Sequence, residues 1–369
     1  MPLNHYVTLG RSGLRVSPLC LGAMTFGMDW GWGSEVKDSE RIMDAFIDRG
    51  GNFIDTANIY TKGHSEKIVG DHIGKSPAKR HRLVIATKFM GNMFQGEHPD
   101  PNGGGAGRKG IMSQCEESLR RLQTDYIDLY WMHFWDEQTP MDETMRALDD
   151  LVRSGKVRYL GFSDTPAWKC AQAQMLAEFK GWSPLVALQI EYSLLERTVE
   201  GDLIPMAIEM GMGVTPWSPL KGGVLSGKYT RANQPPPGRG EWVANHLKDR
   251  AFALIDALIA IARQVQATPA QVALNWVQNR PGVESTARGG GSTIIGARTM
   301  EQLADNLGAL DVHLLPEHLA TLDELSRPQL PFPHEFLKHT VNNVQGGTTV
   351  NMRPSKPWGL APANDKERW

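Results

Sequence analysis

"RYLGFSDTPAWKCAQAQMLAEFKG", residues 158 to 181, holds a short apolar run closing on Ser163, a turn, and a longer segment stopped by Gly181. Apolar residues return at three-to-four spacing through the longer segment, which predicts an amphipathic helix, and a glycine just beyond it supplies the left-handed residue that ends helices. The first six residues read as a strand. The same unit recurs along the chain. Strand candidates stand at 18–22, 52–56, 83–88, 127–133, 158–163, 187–192, 213–218 and 292–296. Between them lie helix candidates such as "DSERIMDAFIDRG", "MSQCEESLRRLQ" and "MDETMRALDDLVRSGK", with Gly50, Gly155 and Gly211 in the position of Gly181. Thr268-Pro269-Ala270-Gln271 predicts an N-cap, a proline at the first helical position and a capping-box partner.

Eight strands alternating with helices admit an open doubly wound sheet or a closed (β/α)8 barrel, both of the α/β class. The count and the near-continuous apolar strands favour the barrel, because parallel strands are covered on both sides. "YVTLGRSGLRVS" (6–17) reads as an N-terminal hairpin plugging the bottom. Residues 91–110 and 221–244 are long glycine-rich loops at the C-terminal face. Loops of that length are usually functional or disordered. The expected division is a barrel over 1–327 and a proline-rich, polar tail over 328–369 that folds over the pocket or is partly disordered.

The chain has 369 residues, 39 basic and 41 acidic, for a net charge of −2. That balance gives no electrostatic reason to expect nucleic acid or an anionic membrane as partner, and points to a small ligand. Cys20, Cys115 and Cys170 are odd in number and far apart, which suggests neither a disulfide framework nor a CxxC metal pattern and suits the cytoplasm. The most apolar stretch, 251–262, is short and interrupted by Asp256, and the N-terminus lacks a basic segment before an apolar run. Neither a membrane span nor a secretion signal is expected.

Three motifs are decoys. Gly105-Ala-Gly107-Arg-Lys-Gly110 matches GxGxxG, but its strand ends about fifteen residues earlier, whereas a dinucleotide fingerprint places the glycines in the tight turn itself. Gly70 to Ser76 resembles a phosphate loop with one residue too few and helical residues before it. His334 and His339 are spaced by five, which splits them across a helix, so no metal site is indicated.

In an eight-stranded barrel, chemistry gathers at the carboxyl ends of the strands. Standing there are Asp55 with Tyr60 just beyond it, Lys88, His133, Ser163, Gln189 and Trp217-Ser218. Each alone has a structural reading, as a cap, a solvated strand end or a satisfied core histidine. Jointly they make a proton donor. A lysine ammonium lowers the pKa of a nearby tyrosine, an aspartate holds the lysine charged, and a neutral histidine donates a hydrogen bond to an oxygen gaining negative charge. Protonating a carbonyl oxygen is useful when something adds to its carbon, and hydride from a nicotinamide is the best candidate. Ser163 and Gln189 suit a carboxamide, Trp217 a nicotinamide face, and "WSPLKGGVLSGKY" with Lys228 a pyrophosphate.

The ordered set "LGAMTFG", "NFIDTANIY", "HSEKIVGD", "VIATK", "DLYWMH", "GFSD", "LQIEYSLLER", "PWSPLKGGVLSGKY" and "IIGARTMEQLADNL" resembles the aldo-keto reductase superfamily from about residue 5 to about 327. It looks closest to the branch that includes the reductase-like potassium-channel β subunits and many bacterial reductases. The resemblance implies Tyr60 as general acid, tuned by Lys88 and Asp55, with His133 orienting the carbonyl. It implies nicotinamide contacts from Ser163, Gln189 and Trp217, phosphate contacts from Ser218, Leu220, Gly222 and Lys228, and an adenosine site at Gly296, Arg298, Gln302 and Asn306. Family members mostly use NADP(H) over NAD(H), and Arg298 suits a 2′-phosphate. Three features depart from the family. Asp164 stands where an asparagine is usual, "ESTARGGG" (284–291) reads as an insertion near the path to the adenosine site, and the tail has no clear counterpart.

The expected activity is NADPH-dependent, reversible reduction of aldehydes and ketones. Trp30, Trp32, Phe89 and Trp135 are candidates to line an apolar pocket for aromatic or bulky carbonyls. The alternatives are a slow-turnover, cofactor-binding regulatory subunit on the same barrel, and a Schiff-base lyase with Lys88 as nucleophile. Asp55 would push the pKa of that lysine the wrong way for the last.

Overall fold

The computed structural model describes residues 2–233, 243–287 and 289–368, without the side chain of His339. Residues 234–242 of the 221–244 loop, Arg288 of the 284–291 segment and the His339 side chain of the spaced histidine pair lie outside the described residues.

An antiparallel hairpin, β1 (Val7–Thr8) and β2 (Arg15–Val16), precedes eight parallel strands. These are β3 (Leu19–Gly22), β4 (Phe53–Asp55), β5 (Val84–Phe89), β6 (Ile127–Met132), β7 (Val157–Ser163), β8 (Leu185–Glu191), β9 (Gly213–Trp217) and β10 (Thr293–Gly296). They run in the order β10-β3-β4-β5-β6-β7-β8-β9, with helices between them, as a nearly closed (β/α)8 barrel. Gly50, Gly155, Gly181 and Gly211 all have positive φ. The helix Pro269–Gln278 carries the expected capping box, Gln271 N donating to Thr268 Oγ1 and Thr268 N to Gln271 Oε1.

Strand alternation divides the core in two. Cys20, Phe53, Val84, Ala86, Leu129, Trp131 and Ala187 point inward and meet Val7, Leu9, Leu14 and Val16 of the hairpin, which fill the bottom. Leu21, Ile54, Ile85, Phe89, Tyr130 and Leu160 point outward beneath the helices. Gly161 is required by this filling: a Cβ there would lie 2.3 Å from Cζ3 of Trp131.

The 284–291 segment corrects an expectation. It precedes β10, and so lies at the amino-terminal face of the barrel, opposite the strand ends that carry the chemistry. Gly290 N donates to Thr8 O and Gly10 N to Gly290 O, tying the segment to the hairpin. A Cβ at Gly291 would come 1.7 Å from Val214 O of β9. The glycine run therefore lets the chain pass between the plug and β9 at the seam before β10. The phosphate-loop decoy has a similar origin, since Cβ atoms at Gly70 and Gly74 would strike the backbone of Arg121 and Leu122, 2.2 and 1.9 Å away.

Residues 328–369 form a second unit. It contains the helix His334–Gln345 and the hairpin β11 (Thr349–Val350) and β12 (Arg353–Pro354).

Gly291→Ala forces a clash with backbone, and such overpacking costs about 1–3 kcal/mol. A lowered urea midpoint is expected, with Gly359→Ala as control because a Cβ there meets nothing within 4 Å. Equal midpoints for the two variants would refute this account of the seam.

Candidate active site

Inward positions recur every second residue, so the parity that sends Phe53, Ala86, Leu129 and Ala187 into the barrel also sends Asp55, Lys88, His133 and Gln189 to its carboxyl-terminal mouth. Lys88 is fully buried and Asp55 is 2% exposed. The Lys88 ammonium bonds Asp55 Oδ2 and donates to Thr56 O at 2.8 Å. Gln189 Nε2 donates to the other Asp55 oxygen at 3.1 Å, across the barrel from β8. Burial opposes the charge on Lys88, but Asp55 and Tyr60 together outweigh it and the lysine pKa is raised. Burial also raises Asp55, opposed by Lys88. A charged lysine is what a Schiff-base nucleophile must not be.

Tyr60 reaches the mouth through a tight return of the loop after β4. Asn58 N donates to Lys88 O, and Asn58 Nδ2 to Gly91 O, which staples the loop to the end of β5. Thr61 and Lys62 then take left-handed backbone, and Thr61 Oγ1 donates to Phe26 O. The result sets the Tyr60 ring 4.8 Å from Lys88 Nζ and 5.8 Å from the His133 ring, edge to face.

The tyrosine pKa departs from the sequence expectation. Burial pushes the phenol above its ordinary value, the Lys88 charge pulls against that rise, and Asp55 and Asp164 add to it. Desolvation of the phenolate thus outweighs the lysine, and Tyr60 is held protonated. His133 is driven down to about 3, by burial first and by Lys88 second, so it is neutral at any physiological pH. Its buried Nδ1 has no hydrogen-bond partner among the described residues.

Trp30 stacks edge-on to Tyr60 at 6.3 Å and lies 5.6 Å from Trp32, making an aromatic wall beside the phenol. Trp135 packs instead on Trp168, with the Lys169 ammonium over both rings. Phe89 is a correction. It follows the inward Lys88 by one residue, so it points outward, fully buried against Tyr130 at 5.0 Å, and offers no surface to a pocket.

The residues expected at a cofactor lie along the rest of the rim. Ser163 Oγ is buried and makes no hydrogen bond among the described residues, beside Gln189 in the β7–β8 register. Trp217 is half-buried at the end of β9, and its Nε1 donates to Asp164 Oδ1 at 3.0 Å. Ser218 and Lys221 take positive φ, as do Gly222 and Gly223 of the turn that follows Leu220. Lys228 is exposed, its ammonium 4.7 Å from the Tyr229 ring, and Gly223 leaves room for it. After β10, Asn306 Nδ2 donates to Gly296 O and Gln302 Oε1 accepts from Arg298 N. Both amides therefore hold the loop backbone. The Arg298 guanidinium is half-exposed and makes no ion pair among the described residues. An orphaned buried hydroxyl, an aromatic face, a glycine turn and an uncommitted guanidinium in sequence fit a dinucleotide extended from the mouth outward.

Sequence reasoning missed Glu191 and Lys221. Lys221 Nζ donates to Glu191 Oε1 at 2.5 Å, pinning the glycine turn to β8. The signal was available, since Glu191 is the next inward position after Gln189.

A model of the aldo/keto reductase family matches residues 18–327. The chain is 39% identical over 330 residues to an uncharacterised oxidoreductase of Bacillus subtilis (strain 168), covering 87% of this chain and 95% of that one. It is 36% identical to an aryl-alcohol dehydrogenase of Pestalotiopsis microspora, over 90% of this chain and 85% of the relative. It is 34% identical to an aryl-alcohol dehydrogenase [NADP(+)] of Phanerodontia chrysosporium, over 87% and 86% respectively. With its eight-stranded barrel and the matched span covering nearly all of it, the chain belongs to the aldo/keto reductase family of oxidoreductases.

Proposed function

We propose that the chain interconverts aryl aldehydes or ketones and their alcohols with NADP(H), preferred over NAD(H), and that Tyr60 is the proton donor in the reducing direction. The observation that carries this reading is the convergence of Tyr60, Lys88, Asp55 and His133 at one mouth, with Trp30 edge-on to the phenol and Trp32 against Trp30. The relatives named aryl-alcohol dehydrogenase support the substrate class, and one of them carries NADP(+) in its name.

A bound nicotinamide supplies the hydride that the carbonyl carbon accepts. The chain's residues do the rest. Tyr60 gives its proton to the carbonyl oxygen, and the Lys88 charge stabilises the phenolate left behind. Asp55 and the Thr56 carbonyl hold Lys88 in place. Neutral His133 directs a ring N–H at the oxygen as negative charge builds there, which a histidinium so close to Lys88 would do only at high electrostatic cost. Ser163 and Gln189 would hold the carboxamide, Trp217 the ring face, the Ser218–Gly222 turn and Lys228 the phosphates, and Gly296, Arg298, Gln302 and Asn306 the adenosine half with its 2′-phosphate.

Tyr60→Phe should leave NADPH binding intact and reduce carbonyl turnover by about 10² or more, the usual worth of a positioned acid. The decisive assay follows NADPH consumption with aryl aldehydes, with NADH in parallel; near-normal turnover by the variant would remove the mechanism. Because the protonated phenol is the donor and its pKa is raised, reduction should fall only as pH climbs above about 10. That alkaline limb should be absent from the residual rate of Tyr60→Phe.

Lys88→Met strands a buried carboxylate, an arrangement that costs about 3–5 kcal/mol. Chemical denaturation should show the loss at neutral pH and a smaller loss in acid. The sign follows from Asp55: without its partner its folded pKa is raised, so the penalty is full above that pKa and relieved as protonation neutralises the group. A loss independent of pH would contradict the assignment of charge to Asp55.

A further inference from the structure

Asp164 follows Ser163 at the end of β7, and its backbone is left-handed, φ 36°, a conformation that aspartate and asparagine tolerate. Asp164 is accessible to solvent at the mouth, yet enough protein crowds its carboxylate to oppose the charge, and its Oδ1 accepts the Trp217 indole N–H at 3.0 Å. It is near enough to the reaction centre to raise the Tyr60 pKa and to feel the charge of Lys88. The charged and titratable groups around it come from every neighbouring strand end. Glu191 of β8 carries like charge and is engaged by Lys221. Lys88 of β5 is engaged by Asp55, Tyr60 is protonated, and His133 is neutral. Lys88 and Lys221 are thus committed to other carboxylates, and among the described residues the Trp217 indole is the side chain that hydrogen-bonds Asp164, with the Lys88 charge acting from further off.

A nicotinamide ring is a cation when oxidised and neutral when reduced. We propose that Asp164 sets a negative charge at the nicotinamide end of the cofactor site, so that the pocket holds the oxidised ring more tightly than the reduced one and biases the bound chemistry toward carbonyl reduction, the direction that leaves the ring oxidised. The inference rests on reading the Ser163, Gln189 and Trp217 rim as the nicotinamide site. Through Trp217 the same carboxylate is a positioning residue, since it fixes the plane of the indole by its N–H.

The surrounding protein pushes the Asp164 pKa up to about 6, by desolvation first, with the indole bond pulling the other way and Glu191 adding to the rise. The charge is therefore present above about pH 6 and lost as pH falls through it. Preference for the oxidised form should grow with pH over that window.

The test is calorimetric binding of NADP+ and NADPH to the full chain, well below and well above about pH 6. The ratio of the two dissociation constants cancels the titration of the 2′-phosphate, which both forms share. In the unaltered protein the ratio should move about tenfold in favour of NADP+ as pH rises, the size of a one-unit coupling. Asp164→Asn keeps the acceptor and the left-handed backbone, and should give a ratio independent of pH and shifted toward NADPH. Trp217→Phe removes the donor and should move the transition to higher pH. Equal weakening of both forms by Asp164→Asn, with the ratio and its pH profile unchanged, would overturn the inference while leaving the cofactor site standing. Failure of the unaltered protein to bind either form would overturn the site and the inference together.

Discussion

A lysine ammonium withdrawn from water persists only with an anion against it, and at the mouth of this barrel that condition is met by Asp55. The two residues come from adjacent strands, β4 and β5, whose register pairs Asp55 with Ala86 and leaves Lys88 two positions further on, on the same inward parity. Gln189 reaches the second carboxylate oxygen from β8, on the far side of the ring. The ion pair joins neighbouring strands, and the Gln189 bond ties it to a strand that shares no ladder with either, which is possible only if the barrel closes with each strand in register. The aspartate, the lysine and the curvature of the sheet are one constraint.

The bottom of the barrel meets the complementary demand, which is to exclude water beneath that pair. Trp131 sits next to Lys88 in the β5–β6 register and fills the interior, and Gly161 yields the space it occupies. Val7, Leu9, Leu14 and Val16 of the hairpin complete the apolar floor. The glycine run before β10 belongs to the same arrangement, because a chain passing between the plug and β9 has room for backbone alone. Low polarity below the ion pair strengthens it and also holds Tyr60 protonated and His133 neutral.

Much of this was legible in the sequence because it follows from period and parity. The strands, the glycine helix ends and the capping box at Thr268 are local, and each was read from residues within a few positions of one another. Asp55, Lys88, His133 and Gln189 were legible jointly, because several polar groups ending apolar strands at one rim are hard to explain by stability, although each singly has a structural reading. What escaped the sequence depends on burial or on a single step of parity. Phe89 looked like pocket lining because the strand was read as ending at Lys88, yet the strand includes Phe89 and neighbours on a strand take opposite faces. The direction of the Tyr60 shift is a contest between desolvation and one cation, and only packing decides it. The 284–291 segment looked relevant to the adenosine site because it adjoins β10, yet it enters the strand at the end opposite the chemistry. Glu191 was legible by parity from Gln189, but its partner Lys221 stands thirty residues away and nothing local announces the pairing.

The charges at the mouth fall into two kinds. Asp55 and Lys88 are sealed against each other, so that pH across the physiological range leaves their joint charge fixed. Asp164 is open at the mouth, bonded to an indole, and poised at about 6. A fixed pair suits a step that must run whichever way hydride moves, because the lysine steadies the phenolate in both directions. A titrating carboxylate beside the cofactor bears on something else, the relative stability of its two oxidation states. Separating the two charges on different strands lets the direction of the reaction be tuned without disturbing the machinery that performs it.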